Sequence, residues 1–229
     1  IDIKSLISVD KKELTEYSSK QLVAKFNVPV TNERLVQSGE EAIQYAEQFG
    51  YPVVLKGMSP EILHKTEKGL VLLNLTSQQE VEEGFHRLKG IIEETDHATF
   101  EGVLIQEMLQ EDSVEMYVGS KRDPIFGQMV LVGLGGIFIE VFKDVSMRKA
   151  PVSVEVAGDM IEELKSSAML KAFRGNAPYD VKAFSQLISK FSYMIDCLED
   201  QIEEADLNPT MVFKEGKGVK VADALMKLL

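Results

Sequence analysis

The sequence is nearly without cysteine. Cys197 is the one thiol in 229 residues, which excludes an internal disulfide and a cysteine metal cluster. A reducing, intracellular setting fits that usage. An excess of basic charge is missing too. Lys plus Arg number 25 against 37 Asp plus Glu, a formal charge of −12. This argues against non-specific binding to nucleic acid or to an anionic membrane. A phosphate ligand would then need a local basic site set against the overall field. No apolar run approaches the roughly 18 residues of a membrane span. The opening IDIKSLISVDKKEL lacks a signal-peptide pattern. Repeats and low-complexity segments are absent. The expectation is a cytoplasmic protein with neither nucleic acid nor membrane as partner.

What is present is an ordinary globular composition, 45% hydrophobic and 27% charged. The length suits one domain of two lobes, or two small domains. The most informative stretch is Pro52 to Asn74, PVVLKGMSPEILHKTEKGLVLLN. An apolar run ends on Lys56, a segment with Gly57, Ser59 and Pro60 follows, then His64 between lysines, then Gly69 and a second apolar run. Two strands joined by a basic loop is the simplest reading. A lysine leaving a buried strand can point at a phosphate. A neutral imidazole on the adjoining loop can take and give a phosphoryl group near pH 7. Taken locally, a solvated strand end and a surface histidine explain the same residues.

Around this stretch the periodicity predicts helices over 12–27, 40–49, 77–93, 154–171 and 181–198, and a short helix at the C-terminus. Ser77 with Glu80 three residues on forms a capping-box pattern. Strands are expected at 103–108, 114–120, 128–132, 202–207, 211–213 and 219–221, with a hairpin of arms 137–142 and 145–150. In the second strand Glu115 and Tyr117 share one face, Met116 and Val118 the other. The polar connector ETDHATFE places a boundary at 101. The domain organisation expected is a helical lead-in 1–28, a first subdomain 29–101 and a second 102–229, in an α+β protein.

Three further features can carry chemistry. Gln106-Glu107-Met108 ends a strand, where backbone groups can pair an adenine edge, and Glu115 can accept hydrogen bonds from ribose hydroxyls. GLGGIFIE (133–140) lacks the spacing of a Rossmann fingerprint and the Lys-Ser/Thr end of a P-loop, yet its glycines let backbone N–H groups approach an anion. Asp206 and Asn208 fall on one strand face, and with Asp223 they make an oxygen-rich set that suits magnesium. A core strand, a tight turn and a polar strand end are the plain alternatives.

Together these stretches resemble the ATP-grasp family, and within it the β subunit or β-type domain of ADP-forming acetyl-CoA synthetase (acetate–CoA ligase, ADP-forming). SPEILHKTEKG, VGSKRDPIFGQMVLVGLGGIFIEVFKDVSMRKAPVS and DLNPTMVF carry the resemblance, which runs from about Leu14 to the C-terminus. It implies an ATP-grasp fold whose two α/β subdomains hold ATP or ADP between them, with Mg²⁺. It implies that an acyl-CoA, phosphate and ADP are interconverted with the free acid, CoA and ATP. An α subunit carrying the CoA-binding and acyl-phosphate chemistry is the implied partner, as α₂β₂. By the same resemblance His64 relays phosphate, and Lys56 meets the nucleotide phosphates. Gln106, Glu107 and Met108 form the adenine hinge, and Glu115 is the ribose-side acid. Gly135 and Gly136 form the turn beside the phosphates. Asn208 and Asp223 form the metal side, with Asp206 beside them. Arg148 is assigned a phosphate or subunit contact. The chain departs from the family pattern after the histidine loop, where Gly69 is followed by Leu70 rather than a second glycine. Another ATP-grasp carboxylate ligase, or a non-catalytic ATP-binding module, are the competing readings; neither has a use for His64.

Overall fold

The computed structural model describes residues 12–62, 65, 68–109, 112–136, 144–171 and 177–229. His64 and the expected hairpin arm 137–142 lie outside these residues. The chain divides into two units, one formed by Thr31–Gln110 and the other by Ile1–Val30 with Glu111–Leu229.

The smaller unit is an antiparallel four-stranded sheet backed by two helices. Its strands are β2 (Glu33–Val36), β3 (Val53–Met58), β4 (Val71–Leu75) and β5 (Gly102–Glu107), in the order β2-β5-β3-β4. Helices α2 (Gly39–Phe49) and α3 (Gln78–Glu93) cover one face. Both begin the same way. The hydroxyls of Ser38 and Ser77 each accept from the N–H three residues on, Glu41 and Glu80, at 3.2 Å. The carboxylates of those glutamates reach back to the N–H of Gln37 and of Thr76, one residue earlier than the standard box. Val53, Leu55, Val103 and Ile105 pack against Ala42, Ala46, Phe85, Leu88 and Ile92. The alternate residues Val54, Lys56, Met58, Leu104 and Gln106 form the face turned away from the helices.

Strand β5 corrects the expected boundary. Residues 102–107 pair with β2 and β3 and so belong to the smaller unit. The crossing therefore comes near residue 110 rather than 101. The connector 94–101 is a surface turn within that unit, because an apolar strand such as VLIQ is most stable in the middle of a sheet. Strand β2 was not expected; only Pro29 to Thr31, ahead of it, reads as extended in the sequence.

The larger unit is a seven-stranded antiparallel sheet in the order β1-β11-β9-β6-β7-β8, with β10 on β9. The strands are β1 (Glu13–Leu14), β6 (Ser113–Asp123), β7 (Gly127–Leu134), β8 (Val145–Lys149), β9 (Ile202–Phe213), β10 (Val219–Val221) and β11 (Ala224–Leu228). Its core gathers α1 (Glu16–Lys25), α4 (Val154–Glu162) and α5 (Val181–Cys197) onto the sheet. Phe184, Leu187, Ile188, Phe191 and Ile195 recur every three or four residues on α5 and all enter that core. The expected lead-in 1–28 is thus built into this unit, since Leu22 and Val23 of α1 are core residues.

Three expected elements change. The C-terminus is a strand, not a helix. ALMKL is made of good helix formers, but pairing with β9 buries Ala224, Met226 and Leu228 alternately and overrides propensity. The helix expected over 154–171 stops at Glu162, and a 3₁₀ turn spans Lys165–Leu170. The extended backbone at Leu164 separates them, and the Asp144 carboxylate accepts from Lys165 N–H at 3.0 Å and Ser166 N–H at 2.8 Å. The segments expected at 202–207 and 211–213 are one strand, with its β6 pairing shifted between Met116 and Val118. Pro209, which lacks an N–H, sits at that shift.

Candidate functional site

The smaller unit carries Lys56, Gln106, Glu107 and Met108. Val54 is directly opposite Gln106 and Lys56 opposite Leu104 in the β3–β5 pairing, so Lys56 and Gln106 share the face away from the helices. Lys56 is only 7% exposed and Gln106 4%. At the end of β5 the Glu107 carboxylate accepts from Asn32 N–H at 2.7 Å and Asn32 Nδ2 at 3.2 Å. The Glu107 N–H donates to the Asn32 carbonyl at 2.9 Å. Asn32, which sequence reasoning missed, therefore anchors the strand end expected to form the hinge. The Met108 N–H lies 3.4 Å from the Pro52 carbonyl, a long hydrogen bond.

The larger unit brings Glu115, Gly135, Gly136, Asn208 and Asp223 together. Glu115 lies on the β6 face opposite the buried Met116 and Val118, as the alternation predicts. The Gly135 N–H donates to the Glu115 carbonyl at 2.9 Å, and the Gly136 N–H to Asn208 Oδ1 at 2.9 Å. Both glycines are required. A Cβ on Gly135 would stand 2.8 Å from the backbone C and O of Met116. Gly136 has φ +62, and a Cβ there would meet Glu115 Oε2 at 2.9 Å. The Asn208 N–H donates to the Asp223 carbonyl at 3.1 Å, and the Ala222 N–H to the Pro209 carbonyl at 3.0 Å. A glycine turn is thus held between an acid and an amide oxygen, with a second acid tied to the amide's backbone. The hard oxygen donors of Asn208 and Asp223 are of the kind a magnesium ion takes. Among the described residues no cluster of three His, Cys, Asp or Glu side chains that could hold a metal ion is found.

Asp206 faces a different partner. Its Oδ1 accepts a short hydrogen bond from the Tyr117 hydroxyl. Burial pushes the Asp206 carboxyl up, with Tyr117 pulling the other way. Burial, then Asp206, pushes the Tyr117 hydroxyl up, so it stays protonated and donates. The ring crosses Gly119, where a Cβ would fall 2.0 Å from the Tyr117 hydroxyl oxygen. Neither Tyr117 nor Gly119 was expected at the site. A tyrosine two residues before a glycine in one strand is the signal that finds them, because both point to the same face.

Arg148 is not brought to these residues. It lies opposite Val130 in the β7–β8 pairing, on the helix-bearing face. Its guanidinium pairs with Glu163 at the end of α4 and donates to the Met147 carbonyl at 2.9 Å. Ser146 Oγ donates to the same Glu163 carboxylate at 2.7 Å.

One unit thus carries a buried lysine and the end of β5, and the other an acid, a glycine turn and an Asn-Pro strand. Residues 5–228 match the family model described as ATP-grasp domain, and the chain belongs to that family. Its relatives place it more narrowly. It is 38% identical to the acetate–CoA ligase [ADP-forming] II subunit beta of Pyrococcus furiosus, over 97% of this chain and 94% of that subunit. It is 35% identical to the 4-hydroxybutyrate–CoA ligase [ADP-forming] of Nitrosopumilus maritimus, of which it spans 33%. Among solved structures it resembles the dinucleotide forming acetyl-coenzyme A synthetase 1 of Ca. Korarchaeum cryptofilum. That structure holds coenzyme A and Mg-AMPPCP, with a phosphohistidine segment pointing towards the nucleotide binding site. The TM-score is 0.82 at 37% identity, over 96% of this chain and 94% of that one. Within the ATP-grasp family the chain is thus of the ADP-forming acetate–CoA ligase β-subunit type. No helix among the described residues is long and apolar enough to cross a membrane.

Proposed function

We propose that the chain is the nucleotide-binding β subunit of an ADP-forming acyl-CoA synthetase. With an α subunit that binds CoA and forms the acyl phosphate, it converts acyl-CoA, ADP and phosphate to free acid, CoA and ATP, reversibly. The observation that carries this reading is the meeting of Glu115, Gly136 and Asn208 at one turn, in a chain that spans 94% of a relative named as such a β subunit.

His64 is the phosphoryl carrier in this reading. A phosphorylated imidazole delivers its phosphoryl group to the terminal phosphate oxygen of ADP. The P–N bond breaks, a P–O bond forms, and neutral imidazole is regenerated. Such a transfer needs alignment and neutralised charge more than a strong base. Lys56, on a buried strand face, offsets charge on the outer phosphates. Backbone groups at Glu107 and Met108 hold the adenine edge, with Asn32 fixing the strand end, and Glu115 accepts from the ribose. Asn208 and Asp223 would hold Mg²⁺, with Asp206 fixed nearby by the hydrogen bond from Tyr117. When bound, the ion neutralises phosphate charge and orients the terminal phosphate. The Gly135-Gly136 turn lets backbone approach the nucleotide closely.

His64→Ala, assembled with the α subunit, should abolish ATP formation while ADP binding stays at the parent value. Normal ATP formation by that variant would remove His64 from the reaction. An amine-directed carboxylate ligase would not need the histidine at all, so the same experiment separates the two classes.

A further inference from the structure

Glu16 and Lys20 stand one turn apart on α1, with side chains 1% and 0% exposed and 3.1 Å between ammonium and carboxylate. No step of the reaction above uses them. Removing two charges from water costs several kcal/mol per ion, and an apolar pair of similar size is often as stable or more so. Fold stability alone is therefore a weak account of the pair. A third partner offers another. Lys20 Nζ donates to the Ala222 carbonyl at 3.0 Å, across 202 positions of chain.

That carbonyl belongs to the peptide joining Ala222 to Asp223. The other side of Ala222 is fixed as well, since its N–H donates to the Pro209 carbonyl. The Asp223 carbonyl in turn accepts from the Asn208 N–H. Two backbone bonds thus lace the Asn208-Pro209 segment to the Ala222-Asp223 segment, and Lys20 grips the peptide at their junction. The chain just after α1 grips it again, with the Val221 N–H donating to the Pro29 carbonyl at 2.9 Å. A buried ammonium can orient a carbonyl strongly because little water competes for either group. Glu16 holds the same ammonium from one turn earlier on the helix, at 3.1 Å.

We infer that Lys20, held by Glu16, is a positioning residue for the metal side of the site. It fixes the peptide from which Asp223 leaves, and so the spacing of Asp223 from Asn208. This rests on the reading of Asn208 and Asp223 as the metal-side residues.

The test compares the full chain with Glu16→Leu/Lys20→Met, which removes both charges and keeps apolar bulk. Mn²⁺ binding in the presence of ADP is followed by electron paramagnetic resonance, and ADP binding without metal by calorimetry. The double variant should melt at or above the parent's temperature. It should bind metal-free ADP like the parent and bind Mn²⁺ about tenfold more weakly, the usual effect of losing an outer support. Mn²⁺ affinity within twofold of the parent would overturn the inference. So would a joint fall of Mn²⁺ and metal-free ADP affinity, which marks general damage. If the double variant does not fold, Glu16→Gln gives the same comparison with a smaller expected loss of Mn²⁺ affinity. Asp223→Asn is the control. If it leaves Mn²⁺ binding intact, the metal-side reading is wrong and the inference falls with it; if it weakens binding while the Glu16 and Lys20 variants do not, only the inference fails.

Discussion

Two adjacent glycines show how differently one missing methyl group acts. Gly135 faces the Met116 backbone, which cannot retreat, whereas Gly136 faces the end of the Glu115 side chain, which can. Gly135→Ala should therefore cost roughly 1–3 kcal/mol of stability by overpacking, read as a lower urea midpoint. Gly136→Ala also meets the left-handed backbone at φ +62, so it should cost stability too, and should in addition displace the Glu115 carboxylate and weaken ADP binding. A Gly136→Ala protein as stable as the parent would contradict this geometry. Arg148 makes a second residue-scale case. Hydrogen bonding from Ser146, then from Arg148, holds the Glu163 carboxyl below its ordinary range. A lowered carboxyl contributes stability above its unfolded value and loses it as pH falls through the folded value. Ser146→Ala and Arg148→Ala should each lower the melting temperature slightly at neutral pH, and the difference should shrink as pH falls below the ordinary glutamate range. A difference that persists at acid pH would mean the clip does not act through charge. Strand alternation made Glu115 legible, because its neighbours Val114 and Met116 are apolar and buried. The Tyr117–Asp206 bond was not legible, since it depends on β6 and β9 lying side by side across 89 positions.

The helices of the smaller unit were read well because their start signals are local. Ser77 accepts from Glu80 N–H as its spacing predicts. Ser77→Ala should lower stability by about 1 kcal/mol, measured by chemical denaturation, with ADP binding unchanged. No change in stability would mean that the Glu80 contacts with Thr76 satisfy the helix end alone. Strands were harder to place. β2 has only four residues with a mixed pattern, ERLV, and acquires its identity from pairing with β5. β11 is composed of helix formers and is a strand only because β9 is beside it. The change from α4 to a 3₁₀ turn depends on Asp144, some twenty positions earlier, capping Lys165 and Ser166. Each of these needs a partner distant in sequence, which a periodic pattern does not name.

At the scale of the whole molecule the chain leaves one sheet and enters the other near residue 110. The family resemblance named candidate site residues by motif, whereas the polar connector 94–101 misled the boundary, because composition marks surface rather than domain edges. The formal charge of −12 sets a field that repels nucleotides; in the proposed function local neutralisation at Lys56 and at a bound cation overcomes it. The central claim is that this chain exchanges a phosphoryl group between nucleotide and His64. The measurement that tests it most directly is incubation of the purified chain with γ-labelled ATP and Mg²⁺, alone and with the α subunit, followed by acid and base treatment and mapping of the label. The account predicts label that is lost in acid, survives base and maps to His64. Tight ATP binding with no such label, even with the α subunit present, would contradict it.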